Sequence, residues 1–294
     1  MESISVIQSA DLAEATAALY RRINTHLRED VREALARAFE AEQAEPARQV
    51  MAAILENERI SRAGGLPLCQ DTGLAVAFVR MGRRVLLKGG TVQEAVDAGI
   101  RRAVAEQPLR ASTVADPLGR QNRGDNTPAV VHLEQGEGDE IELHLLAKGG
   151  GAENMSTIRM LNPGRGREGV IETVLQAVQE GGASACPPLI VGVGIGGDFE
   201  RAPLMAKRAL LRDLREPNRD ADLAALEEEL LGRVNELGIG PQGFGGRTTA
   251  LAVLIEAAPC HIASLPVAVN LECHSHRHGT VTLRGQRRPG GADR

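Results

Sequence analysis

Between residues 10 and 58 the chain reads "ADLAEATAALYRRINTHL", "EDVREALARAFEAE" and "ARQVMAAILENERI", with apolar positions returning every three or four residues and charges between them. That period matches the turn of an α-helix, so the spacing predicts an N-terminal helical segment. After "LPLCQDTG" the period shortens. "LAVAFVRMG" and "RRVLLKGG" are short apolar runs that meet at Gly82 and two arginines, and they predict a strand pair. Thr91, with Glu94 three residues on, predicts a capping box opening a helix through "VQEAVDAGIRRAVAEQ", which Pro108 stops.

Residues 110–128, "RASTVADPLGRQNRGDNTP", carry no period and are rich in Asp, Asn, Gly and Pro. A polar loop of that length inside a compact chain is often functional. Beyond it, "AVVHLE" and "EIELHLLAK" predict a hairpin around "QGEGD", and "REGVIETVLQAVQEGG" predicts a helix. "CPPLIVGVGIGG" reads as a strand feeding a glycine turn, followed by a helix over "APLMAKRALLRDLR" and another at about 222–236. "TALAVLIEAAP" and "IASLPVAVNLE" supply the last strands. The expectation is an α/β fold of mixed sheets flanked by helices. No repeat or composition shift marks a linker, so a single domain over 1–285 is expected, with 286–294 as a disordered tail.

Composition removes several functions. The 294 residues are 43% hydrophobic with a net charge of −5 and only 2% aromatic, so neither a phosphate-tracking basic face nor a base-stacking platform is present. No nucleic-acid partner is expected. The N-terminus "MESISVIQSADLAEA" lacks the basic and apolar regions of a secretory leader, and no apolar run is long enough to span a membrane. The cytoplasm is therefore the expected compartment, where Cys69, Cys186, Cys260 and Cys273 act as thiols or metal ligands rather than disulfide partners.

Three local patterns carry candidate chemistry. Gly192-Val193-Gly194-Ile195-Gly196-Gly197 has G-x-G-x-x-G spacing between a strand and a helix, but no strand ending in an acid follows about twenty residues on, as a dinucleotide site requires. A tight turn or a backbone anion site fits it as well. Cys69, Cys186 and Cys273 each sit where the chain bends beside strand-like sequence, yet a free cysteine is often simply a small buried hydrophobe. Cys260-His261 and Cys273-His274 offer zinc ligands at a spacing that matches no standard finger, and His274, His276 and His278 alternate as a solvated face would.

Taken in order, "LPLCQDTG", "DPLGRQNRGDNTPAVVH", "KGGGAENMS", "CPPLIVGVGIGG", "GIGPQGFGG" and "HIASLPVAVNLECH" resemble the α-type catalytic region of the class I, iron-sulfur fumarate hydratases and the related L-tartrate dehydratases, from about residue 60 to 285. The resemblance implies a 4Fe-4S cluster on Cys69, Cys186 and Cys273, with Cys260 spare. It implies Gln70 and Arg110 as substrate-binding groups, with the backbone of Gly149, Gly150 and Gly151, and it implies proton-handling roles for Asp71 and His261. A planar guanidinium such as that of Arg110 suits a carboxylate. Asp125, Asn126 and Thr127 read as turn-formers that shape the loop, with some substrate contact.

The implied reaction is reversible addition or removal of water on a small dicarboxylate, with fumarate and malate placed first. L-tartrate, or a metal-binding module without turnover, are the alternatives. Between Cys273 and residue 294 only 21 residues remain, so the β-type half of such enzymes is expected on a separate subunit, in an α2β2 assembly.

Overall fold

The apolar run Ala75–Val79 is buried on both of its faces, and a strand of that kind belongs inside a sheet rather than at its edge. In the computed structural model, which describes residues 3–288, it does lie there. The elements run β1 (Ile4–Gln8), α1 (Ser9–Thr25), α2 (Glu29–Ala41), α3 (Glu45–Gly64), β2 (Leu74–Gly82), β3 (Val85–Lys88), α4 (Val92–Glu106), β4 (Val130–Gly136) and β5 (Glu140–Lys148). Then come α5 (Gly150–Glu153), β6 (Thr157–Leu161), α6 (Gly166–Gly181), β7 (Leu189–Gly196), α7 (Arg201–Ala209), α8 (Ala221–Glu236), β8 (Ala250–Ala258), β9 (Leu265–Glu272), β10 (His278–Arg284) and β11 (Gln286–Arg288).

The chain divides into two compact units. The first takes the described residues up to Leu27, Ile60–Lys148 and the described residues from Arg277; the second takes Arg28–Arg59 and Gly149–His276. The expected domain over 1–285 thus spans two structural units.

In unit 1 the sheet order is β10-β5-β2-β4, with β2 antiparallel to β5 and parallel to β4. The expected hairpin of β4 with β5 therefore does not form, because β2 sits between them. Nor do β2 and β3 pair: β3 runs parallel to β1 in a separate small sheet. Ile141, Leu143 and Leu145 of β5 alternate inward with Ala75, Ala77 and Val79 of β2 and meet Leu12, Leu19 and Ile23 of α1 and Val96 and Ile100 of α4. The capping box is as expected, with Thr91 Oγ1 accepting from Glu94 N (3.2 Å) and Thr91 N donating to Glu94 Oε2 (2.9 Å). Gln286–Arg288, expected in the tail, pairs with β1 instead. Residues 289–294 lie outside the described residues.

Unit 2 is a sheet of order β6-β9-β7-β8 between two helical layers. Val191 and Val193 of β7 and Val267, Val269 and Leu271 of β9 face α6 and α8, whereas Ile190 and Ala268 face α7. The glycine run explains how α7 gets so close. A Cβ on Gly192 would stand 2.1 Å from Ala206 O, and one on Gly194 2.0 Å from Ala202 O. Gly192 and Gly194 lie inside β7 and serve helix packing, a role not expected of them, whereas Gly196 and Gly197, at φ +85° and +67°, make the tight turn that the pattern suggested. The expected helix over 202–215 stops at Ala209; Asp213 lies beyond it, held by Arg215 and Arg28.

Candidate active site

In unit 1 the "LPLCQDTG" segment follows α3 and is anchored by Leu68 N donating to Asn24 O (2.8 Å). Cys69 is half-buried; its thiol donates to Gln70 Oε1 (3.4 Å) while Asp71 N donates to Cys69 Sγ (3.4 Å). Asp71 Oδ1 accepts from Gly73 N at 2.9 Å, the local turn an Asp makes two residues ahead, and from Ser112 Oγ at 3.2 Å. Thr72 Oγ1 accepts from Arg110 N (2.9 Å). Gln70, Asp71 and Arg110, predicted as one group, are thus brought together, and the Arg110 side chain makes no hydrogen bond or ion pair among the described residues.

Two buried residues hold this segment from beneath. Arg277, 1% exposed, donates from Nη1 to Asp71 O (2.5 Å) and Asn24 Oδ1 (3.2 Å). Asn126, fully buried, donates from Nδ2 to Gly73 O (2.9 Å) and to the Tyr20 hydroxyl (3.0 Å). Burial pushes the Tyr20 hydroxyl up to about 12, against the lowering influence of Arg277, so it stays protonated. Loop shape with some substrate contact was expected of Asn126, and no role was expected of Arg277; its one signal, an arginine inside an alternating histidine run, was masked by the reading of that run as solvated. His276 and His278 are in fact buried, and burial moves His276 below its ordinary value.

In unit 2 Cys186 is exposed, in the left-handed region at φ +57°, directly after a short helical turn at Gly182–Ala185. His274 N donates to Cys186 O (3.2 Å), and His274 Nδ1 stands 3.0 Å from the same oxygen. Gln242 of the "GIGPQGFGG" turn closes the group by donating from both N and Nε2 to Pro187 O at 2.9 Å. Cys273, half-buried at the end of β9, is thereby brought beside the Cys186 bend. Gly151 lies against it too, since a Cβ there would be 3.9 Å from Ser184 O.

His261 is not brought to that place. It occupies the loop between β8 and β9, with Ala263 N donating to its Nδ1 (3.1 Å), and β9 is antiparallel to β7, so the eight residues of β9 separate the loop from Cys273. At about 3.3 Å per residue this is about 25 Å. Cys260 and His261 line a cavity of about 440 Å³ with Arg167, Val170, Ile195 and Leu226 at that far end of the sheet. The same separation rules out one zinc ion on both Cys-His dipeptides. Among the described residues no three His, Cys, Asp or Glu side chains gather as a metal-holding group.

The profile of the fumarate hydratase (Fumerase) family matches residues 13–282. A Methanocaldococcus jannaschii protein with the provisional name L(+)-tartrate dehydratase subunit alpha is 40% identical over 282 residues, covering 93% of this chain and 98% of that one. The L(+)-tartrate dehydratase subunit alpha of Escherichia coli K12 is 33% identical over 277 residues, 92% of this chain and 90% of that one. The fold and these matches define a hydro-lyase chain of the alpha type. It belongs to the fumarate hydratase (Fumerase) family. No helix among the described residues is long and apolar enough to cross a membrane.

Proposed function

We propose that this chain is the alpha subunit of an iron-sulfur hydro-lyase that reversibly adds or removes water on a four-carbon dicarboxylate. The observation that carries this beyond the family is the exposed Arg110 guanidinium, left without a protein partner and tied through Thr72 and Ser112 to the segment bearing Asp71. Such a fork binds a carboxylate in two places at once. Alongside the family's own name, relatives named for L(+)-tartrate over most of the chain make L-tartrate the first substrate to assay, with fumarate and malate beside it.

The proposed cofactor is a 4Fe-4S cluster on Cys69, Cys186 and Cys273. The donors suit it: all three are cysteines outside any disulfide, at backbone bends and none fully buried, and Cys69 Sγ already accepts an N–H. When bound, a cluster with one iron lacking a thiolate supplies a Lewis acid for hydroxyl and carboxylate oxygens.

The chain's own groups do the rest. Arg110 holds one carboxylate, Gln70 donates from its amide, and the Gly149–151 backbone offers N–H groups. Asp71, its Oδ1 oriented by Gly73 and Ser112, holds the proton exchanged with substrate. A separate β-type subunit supplies the second clamp in an α2β2 assembly, located in the cytoplasm. His261, about 25 Å from Cys273 along β9, serves the pocket from a second copy of this chain. The test is anaerobic purification with and without the β-type protein, followed by assays for L-tartrate dehydration and fumarate hydration; a brown, iron-loaded complex inactive on every four-carbon hydroxy-dicarboxylate would sink the reading.

A further inference from the structure

Asn126 sits in the left-handed region at φ +57°, and a turn there would be served as well by glycine. Its side chain does more than a turn needs. Nδ2 donates to Gly73 O (2.9 Å) and the Tyr20 hydroxyl (3.0 Å), and Oδ1 accepts from Ser112 N (2.8 Å) and Thr113 Oγ1 (3.2 Å). Those four bonds are the full capacity of a carboxamide. Its orientation is fixed as well, because Gly73 O can only accept and Ser112 N can only donate.

The partners are placed with meaning. Gly73 lies two residues beyond Asp71, and its N–H is the donor that turns the Asp71 carboxylate. Ser112 and Thr113 lie two and three residues beyond Arg110, and the Ser112 hydroxyl is the other donor to Asp71 Oδ1. One buried amide therefore joins the segment carrying the proton-handling carboxylate to the segment carrying the carboxylate-binding guanidinium. It is braced from α1 by a tyrosine whose hydroxyl stays protonated.

We propose that Asn126 is a positioning residue for the dicarboxylate site: its carboxamide sets the spacing and orientation of Asp71 relative to Arg110 without touching substrate. This rests on the hydro-lyase reading for its functional half. A pocket held this way loses rate through small displacements, and a shift of about 1 Å costs on the order of 10²-fold.

The experiment uses the full chain with its β-type partner and two variants. Asn126→Gly keeps the left-handed backbone and deletes the amide. Asn126→Asp keeps both acceptor bonds and deletes the two donors. Hydrogen exchange, iron and sulfide content, and kcat and KM for L-tartrate and fumarate are measured on each. The expected result is faster exchange confined to residues 69–73 and 110–114 in Asn126→Gly, and confined to 69–73 in Asn126→Asp. Cluster content stays unchanged in both, and kcat/KM falls on the order of 10²-fold.

A cluster-loaded Asn126→Gly enzyme with unaltered kcat/KM overturns the proposal, as does exchange accelerated equally through β2 and β5. Should Asn126→Gly not fold, Tyr20→Phe and Thr113→Val each remove one arm of the same amide, and unchanged kcat/KM in both overturns it. A wild-type complex without turnover on any dicarboxylate defeats the functional reading, while the exchange pattern still decides whether Asn126 ties the two segments.

Discussion

His261 and Cys273 stand at opposite ends of β9: three residues separate His261 from the strand's start at Leu265, and Cys273 follows its end at Glu272. A β-strand does not fold back on itself, so the two cannot serve one cluster from the same copy of unit 2. For His261 to serve the site, two copies must each lend a part to the other.

This leads to a complementation prediction. Cys186→Ser and His261→Asn chains, each paired with wild-type β-type subunit, are expected to be inactive or slowed by 10²- to 10⁴-fold, the range for lost acid-base groups. Co-expressed, they are expected to regain activity, because a mixed pair contains one site with both intact residues. Activity of the mixture equal to the mean of the two separate preparations would show that His261 acts within its own copy or not at all.

The cysteines give a second prediction. Cys69→Ser, Cys186→Ser and Cys273→Ser are each expected to lose the visible absorbance and iron of the anaerobic protein. Cys260→Ser is expected to keep both, since Cys260 lies at the far end of the sheet, donating to Ser264 O at 3.2 Å. Full iron content in Cys186→Ser would break the ligand assignment.

Packing supplies a third. Gly194→Ala drives a methyl group to 2.0 Å from Ala202 O and is expected to destabilise the chain by about 3 kcal/mol as α7 is pushed off β7. Gly232→Ala in α8, where a Cβ meets nothing within 4 Å, is expected to stabilise by about 0.5–1 kcal/mol. Denaturant unfolding of the two variants checks both signs.

The helices were legible because their apolar faces recur locally, as with the Thr91-Glu94 box that opens α4. Strand partners were not. Nothing in "LAVAFVRMG" states that β2 lies between β4 and β5, although burial of its successive residues, visible as an unbroken apolar run, was a sign of a central strand. Cys69, Gln70, Asp71 and Arg110 could be named as candidates through the family resemblance, and the segments carrying them do lie together. What joins them was not legible, because Asn126, Tyr20 and Arg277 act through hydrogen bonds between distant segments, and spacing along a chain carries no record of those. The helix expected through Arg215 failed for a different reason: Asp213 and Arg215 satisfy each other in a turn.

That turn yields a pH prediction. The Arg215 guanidinium, bonded to Asp213 Oδ1 at 2.9 Å and Oδ2 at 2.7 Å, holds the Asp213 carboxyl down at about 2, against 3.8 in the unfolded chain, and Arg28 adds to it. A depressed folded-state value stabilises at pH above about 4, and that contribution is lost as pH falls from about 4 to about 2. Asp213→Asn is therefore expected to cost about 1–2 kcal/mol at pH 6. The gap to wild type should close near pH 2. Urea unfolding of both proteins at pH 6 and pH 2.5 measures it, and a constant gap would refute the assignment.

Whether this chain is half of an iron-sulfur hydro-lyase is measured by turnover of the anaerobically purified chain on L-tartrate and fumarate, with and without the β-type subunit and before and after removal of iron. Water loss or gain is expected only when iron and the β-type subunit are both present. Full activity of the iron-free chain, or of the iron-loaded chain alone, would contradict it.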